Sequence, residues 1–127
     1  MTRILIVEDE HAVSAVLEEF LDTLGYQTET ADDGQRAVDR AQEKPPDLII
    51  MDLMLPRLTG GEAARLLRQH PATAEIPILA ISSVDNVQEL ADVLAVDAVL
   101  SKPFDLADLE TSVATLLPSG EQPVAGP

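Results

Sequence analysis

Cysteine is missing from this 127-residue sequence, so neither disulfides nor thiolate chemistry enter, and the redox compartment is left open. Aromatic residues are scarce at 2%, with no tryptophan, against 46% hydrophobic residues overall. The core must therefore be built from Leu, Ile, Val and Ala. Basic residues are also few: 8 Lys and Arg stand against 23 Asp and Glu, for a formal net charge of −15. Such a chain repels the phosphates of nucleic acids and anionic lipids and has no basic stripe, so direct nucleic-acid binding is not expected. No apolar run approaches the roughly 20 residues that span a bilayer. The short apolar start ending at Val7 meets Glu8-Asp9-Glu10 at once, which no secretory signal core tolerates. No membrane role is expected, and a cytoplasmic location is the default.

The length suits one domain. Arg3-Ile4-Leu5-Ile6-Val7 is a nearly continuous β-branched run, as in a strand buried on both faces of a parallel sheet. From His11 to Leu24, Val13, Val16, Leu17, Phe20, Leu21 and Leu24 recur at helical spacing, and Gly25 supplies a stop. Tyr26 to Ala31 alternates as a weaker strand. Asp32-Asp33-Gly34 gives turn and cap chemistry, and a short helix runs from Ala37 to Glu43 before Pro45-Pro46. Asp47 to Met51 is the next buried strand, with Asp52 at its end, and a helix comes next from about Gly61 to His70. Ile76 to Ile81 predicts a fourth strand with Pro77 near its entrance. Val87, Leu90, Ala91 and Leu94 define a helical face, Ala98 to Leu100 a fifth strand, and Leu106 to Leu116 a last helix. Strict alternation of this kind predicts an α/β fold: parallel strands, right-handed crossovers and helices on both faces. The folded domain is expected over residues 1–117, with 118–127 a flexible Pro/Gly tail.

Reactive side chains cluster at the carboxyl ends of the buried strands. Glu8 and Asp9 come directly after the first, Asp52 ends the third, Ser82 ends the fourth and Lys102 lies just past the fifth. A strand order of 2-1-3-4-5 would place these groups on one rim, where open sheets of this kind bind ligands. Three carboxylates within about 4 Å repel by roughly 4 kcal/mol per pair at an effective dielectric near 20, so the cluster calls for a cation. Magnesium fits, because it takes oxygen donors and combines one or two carboxylates with a phosphoryl oxygen. A carboxylate nucleophile can then form an acyl phosphate, with Lys102 as the fixed cation and Ser82 donating to a phosphoryl oxygen.

These residues resemble the receiver domain of two-component response regulators. The matching pieces are Ile4-Leu5-Ile6-Val7-Glu8-Asp9, Met51-Asp52-Leu53-Met54-Leu55-Pro56 with Gly60, Ile81-Ser82-Ser83, and Ser101-Lys102-Pro103-Phe104, over about residues 3–117. The resemblance implies a flavodoxin-like doubly wound sheet of five parallel strands in the order 2-1-3-4-5, with five helices on its two faces. It further implies that Asp52 accepts phosphate from a histidine kinase or phosphotransfer protein. Asp9, Asp52 and the Met54 carbonyl would ligate magnesium, and Glu8 would act through water. Lys102, in a commonly cis Lys102-Pro103 pair, would bind the phosphoryl group, and Ser82 would be the switch hydroxyl. Departures are visible too. Val99 stands where the family often has an aromatic, and Ala95-Val96 where Gly-Ala is usual. Met54 and Val84, flanking the phosphoryl position, cannot orient a water, which predicts slow loss of phosphate.

Blander readings exist for each residue. Glu10 reads as helix-cap charge, His11 and His70 as exposed helix residues, and Asp32-Asp33-Gly34 as turn chemistry without metal. Two other functions compete: a phosphorylation-independent, receiver-like interaction module, and a phosphohydrolase using Asp52. The second lacks an acid two residues on, where Met54 stands. The downstream protein target is unknown, and phosphorylation-linked homodimerisation through the helix after the fourth strand is carried as a hypothesis.

Overall fold

The apolar runs form strands and the 3.6-residue patterns form helices, in the order the sequence predicts. The computed structural model describes residues 2–55, 57–82 and 96–117. Its elements are β1 (Arg3–Val7), α1 (His11–Thr23), β2 (Gln27–Ala31), α2 (Gly34–Glu43), β3 (Leu48–Asp52), α3 (Gly60–Gln69), β4 (Ile78–Ser82), β5 (Ala98–Ser101) and α4 (Leu106–Leu116). All strand pairings are parallel, in the order β2-β1-β3-β4-β5. The helix expected over Val87 to Leu94 and the tail from residue 118 lie outside the described residues, as do Ser83 and Val84.

Period-2 alternation along the central strands splits the core into two layers. Leu5, Val7, Ile49, Met51 and Ile78 pack on one side against Ala37, Val38 and Ala41 of α2 and Ala63, Ala64 and Leu67 of α3. Ile4, Ile6, Leu48, Ile50, Leu79 and Ile81 pack on the other against Leu17 and Leu21 of α1 and Leu109 and Val113 of α4. Both faces are thus covered, as continuous apolar strands require. The edge strands are less buried: β2, which reads polar, has only Ala31 buried, and the residues of β5 are half-buried or exposed.

Helix ends obey local chemistry. Gly25, at φ 97°, takes the left-handed position after α1. Thr59 and Glu62 form a reciprocal capping box on α3, and the Asp105 side chain accepts from the Asp108 N–H at the start of α4. Three expectations shift. α2 begins at Gly34, three residues before Ala37, because the Asp33 carboxylate accepts the Arg36 N–H at 2.8 Å and so starts the helix early. Glu10 occupies the N-cap position of α1, but its side chain makes no capping bond. Its carbonyl instead accepts from Val13 and Ser14. The strand limits move by a residue or two, with β4 starting after Pro77 rather than at Ile76.

Candidate functional site

Because every strand runs the same way, their carboxyl ends share one edge, and the register decides what meets there. Val7 pairs with Met51, Asp52 with Ile81, and Ser82 with Ser101. Residues just past these positions therefore stand side by side. One carboxylate oxygen each from Glu8, Asp9 and Asp52 lie within 4.8 Å of one another. The Lys102 ammonium donates to Asp52 Oδ2 at 2.7 Å and stands 3.6 Å from Glu8 Oε1. The Lys102 N–H donates to the Ser82 carbonyl at 2.8 Å, tying the segment that carries the lysine to the end of β4. Lys102-Pro103 is a cis peptide.

Asp52 is held at both oxygens. Lys102 takes Oδ2, and the Met54 N–H donates to Oδ1 at 2.8 Å. Burial differs sharply across the cluster: Glu8, Asp52 and Ser82 are buried, whereas Asp9 faces solvent. Burial pushes the Glu8 carboxyl up from 4.5 to about 7, and the Asp52 charge adds to the rise, against lowering by the Glu10 N–H and Lys102. Partial burial pulls the Lys102 ammonium down, but its hydrogen bond to Asp52 and the charges of Asp52, Glu8 and Glu10 outweigh this and leave it raised.

Three acids facing one lysine are short of positive charge. Glu8 Oε1 is buried with no hydrogen-bond partner, although Lys102 stands at ion-pair distance. The donor set is all oxygen, with neither thiolate nor imidazole in the cluster, so these residues fit a hard divalent cation such as magnesium. A nucleophilic carboxylate between a lysine and a cation site can take up a phosphoryl group.

The sequence profile of the response regulator receiver domain matches residues 4–114. The chain belongs to the response regulator receiver domain family. It is homologous to the phosphoacceptor modules of two-component systems. Among curated relatives, it is 35% identical over 119 residues to the DNA-binding dual master transcriptional regulator RpaA of Synechocystis, covering 92% of this chain and 49% of the relative. It is 37% identical over 119 residues to the phosphate regulon transcriptional regulatory protein PhoB of Rhizobium meliloti, covering 92% of this chain and 52% of the relative. The receiver domain thus spans about half the length of these relatives. Among solved structures, the receiver domain of a Pseudomonas aeruginosa sensor histidine kinase, with magnesium coordinated in its active-site cleft, is 32% identical at a TM-score of 0.84. That match covers 91% of this chain and 96% of the other. The chemotaxis protein CheY4 of Vibrio cholerae is 28% identical at a TM-score of 0.86, covering 92% of this receiver and 99% of that chain.

All the residues expected at the site from their place after the strands are found on one rim. His11 and His70 are exposed and lie outside the cluster. Sequence reasoning missed two features. The Met54 N–H donates to Asp52 Oδ1; an aspartate accepting the N–H two residues on is a common turn, which was the available signal. Arg57, with φ at 62°, donates to Asp33 Oδ2 at 3.0 Å, and nothing in the spacing of those residues announces it. No helix among the described residues is long and apolar enough to cross a membrane.

Proposed function

We propose that Asp52 is the phosphoacceptor of a two-component switch. The observation that carries this reading is the buried Asp52 carboxylate, bonded to Lys102 at 2.7 Å and grouped with Glu8 and Asp9 within 4.8 Å. Asp9, Asp52 and the Met54 carbonyl would hold magnesium, with Glu8 acting through water. When bound, that ion offsets the charge on the transferring phosphoryl oxygens.

The Asp52 carboxylate attacks the phosphorus of a phosphohistidine on a histidine kinase or phosphotransfer protein. The new O–P bond forms as the N–P bond breaks, and the imidazole leaves with its electron pair and takes up a proton. Lys102, now bonded to Asp52, transfers its donors to the phosphoryl oxygens. The Ser82 hydroxyl donates to another of them. Each molecule accepts one group, so the chain catalyses its own modification and is not an enzyme with turnover on other substrates. The output is a contact with a downstream protein, and a cytoplasmic location belongs to the same reading. A net charge of −15 disfavours direct contact of this chain with DNA.

The test is mass spectrometry after incubation with acetyl phosphate and magnesium. The wild type is expected to gain one phosphoryl group, and Asp52→Asn none. An unmodified wild type would leave a phosphorylation-independent interaction module as the better account.

A further inference from the structure

The segment between β3 and α3 carries Met54, whose N–H fixes Asp52 Oδ1 and whose carbonyl the proposed function assigns to magnesium. Whatever holds that segment in place bears directly on the site. Leu53 and Leu55 are buried and anchor its first half. The second half rests on the start of α2. A Cβ on Gly34 would overlap the Leu58 carbonyl oxygen, so the bare glycine lets the two backbones touch. Next to that contact, Arg57 sits in the left-handed region at φ 62°, a strained conformation for a non-glycine residue. Such a conformation persists only where the surroundings over-determine it.

The surroundings here centre on Asp33. Its Oδ1 accepts the Arg36 N–H at 2.8 Å and starts α2, while its Oδ2 accepts from the Arg57 guanidinium at 3.0 Å. The Asp33 side chain is 5% exposed and Arg57 75% exposed. A buried, helix-fixed carboxylate thus anchors an exposed arginine. A pair this open to water adds little to global stability. Glycine at position 57 would remove the left-handed penalty, yet it would also remove the side chain that ties this turn to Asp33.

We propose that Arg57 is a positioning residue for the phosphoacceptor loop, acting through Asp33 to hold the Met54 peptide against Asp52. The inference rests on the proposed function only where magnesium is concerned, since the Met54 contact exists without it.

The test pairs two measurements on Arg57→Gly, Arg57→Lys and Asp33→Asn. The first is the solvent-exchange rate of the Met54 amide by NMR in metal-free protein, read against amides of β4 and the thermal midpoint. Arg57→Gly is expected to speed Met54 exchange about twofold to fivefold, the range an exposed ion pair can support. The β4 amides and the midpoint should hold. Arg57→Lys should recover most of the protection, and Arg57→Gly placed in Asp33→Asn should add nothing further. The second is magnesium affinity by titration calorimetry, which should weaken by a similar factor in Arg57→Gly. Unchanged Met54 exchange would overturn the proposal, as would exchange rising in step with a lowered midpoint. A wild type that binds no magnesium overturns the metal assignment instead, and Met54 exchange still decides the role of Arg57.

Discussion

Lys102 is the only cation bonded to Asp52 or paired with Glu8 among the described residues, so its removal tests how the site is balanced. The side chains of Asp52 and Glu8 are 6% and 2% exposed, and Lys102 is 28% exposed. Breaking a fully buried pair costs roughly 3–5 kcal/mol because a charge is left unmatched. Solvent reaches this lysine, so Lys102→Met is expected to lose about 2 kcal/mol, measured by urea unfolding with a chelator present. Magnesium should return part of that loss, because a second cation then faces the same carboxylates. Met54, two residues after Asp52, is 68% exposed and apolar, so no polar side chain there can hold an attacking water. Full general acid–base assistance is worth roughly a hundredfold or more. An amide that merely orients water supplies less, and Met54→Asn is expected to shorten the lifetime of phospho-Asp52 by about tenfold. Radiolabel leaving wild type as fast as the variant would refute this account of a slow signal.

At the scale of elements, the periodicities were enough for the sheet. Ile4 to Val7, Leu48 to Met51 and Ile78 to Ile81 are buried on both faces, and that leaves a sequence with few polar interruptions to misread. Parallel strands put the residues that follow them on one edge, and the 2-1-3-4-5 order that the family resemblance implies sets β1, β3, β4 and β5 side by side, so the two together grouped Glu8, Asp9, Asp52 and Lys102. Contacts set by tertiary neighbours escaped. The turn at Arg57 depends on where α2 lies, since its guanidinium reaches Asp33 from 24 residues away. Caps are local, and Asp32-Asp33-Gly34 was legible as one; Thr59 with Glu62 carries an equally local signature that went unread. Thr59→Ala should cost about 1 kcal/mol in urea unfolding, since an N-terminal donor of α3 loses its partner. The effect of the Glu110 charge on α4 upon Tyr26, the residue before β2, can be read by pH. Tyr26 is buried, and burial together with the Glu110 charge raises its hydroxyl above the ordinary 10.0. The fold therefore favours the neutral phenol. Its contribution to stability is complete below the unfolded value and is lost as pH rises through the folded one. With one tyrosine and no tryptophan in the chain, absorbance at the phenolate band reports this group alone. Its midpoint should lie above 10.0 and fall in Glu110→Gln.

At the scale of the whole molecule, the charge is uneven as well as large. Residues 4–35 contain neither Lys nor Arg, and these include all of α1 and β2 and two of the clustered acids. Self-repulsion of this kind opposes compactness and is screened by salt, with a Debye length near 8 Å at about 0.15 M. Ionic strength and a specific cation should therefore stabilise the domain by separate routes. Raising sodium chloride in the presence of a chelator should lift the thermal midpoint gradually, with no saturation at low millimolar salt. Replacing part of that salt by magnesium at equal ionic strength should add a saturable rise, since a ligand bound to the folded state alone contributes about 2.7 kcal/mol at a hundred times its Kd. The two effects separate in Asp9→Asn combined with Asp52→Asn. That variant removes two of the clustered carboxylates, so its metal-free midpoint should equal or exceed that of the wild type, while the magnesium-specific rise disappears and the sodium response remains. A magnesium rise that survived the double substitution would mean that the ion binds the diffuse acidic surface, and the strand-end cluster would lose its claim to be the metal site.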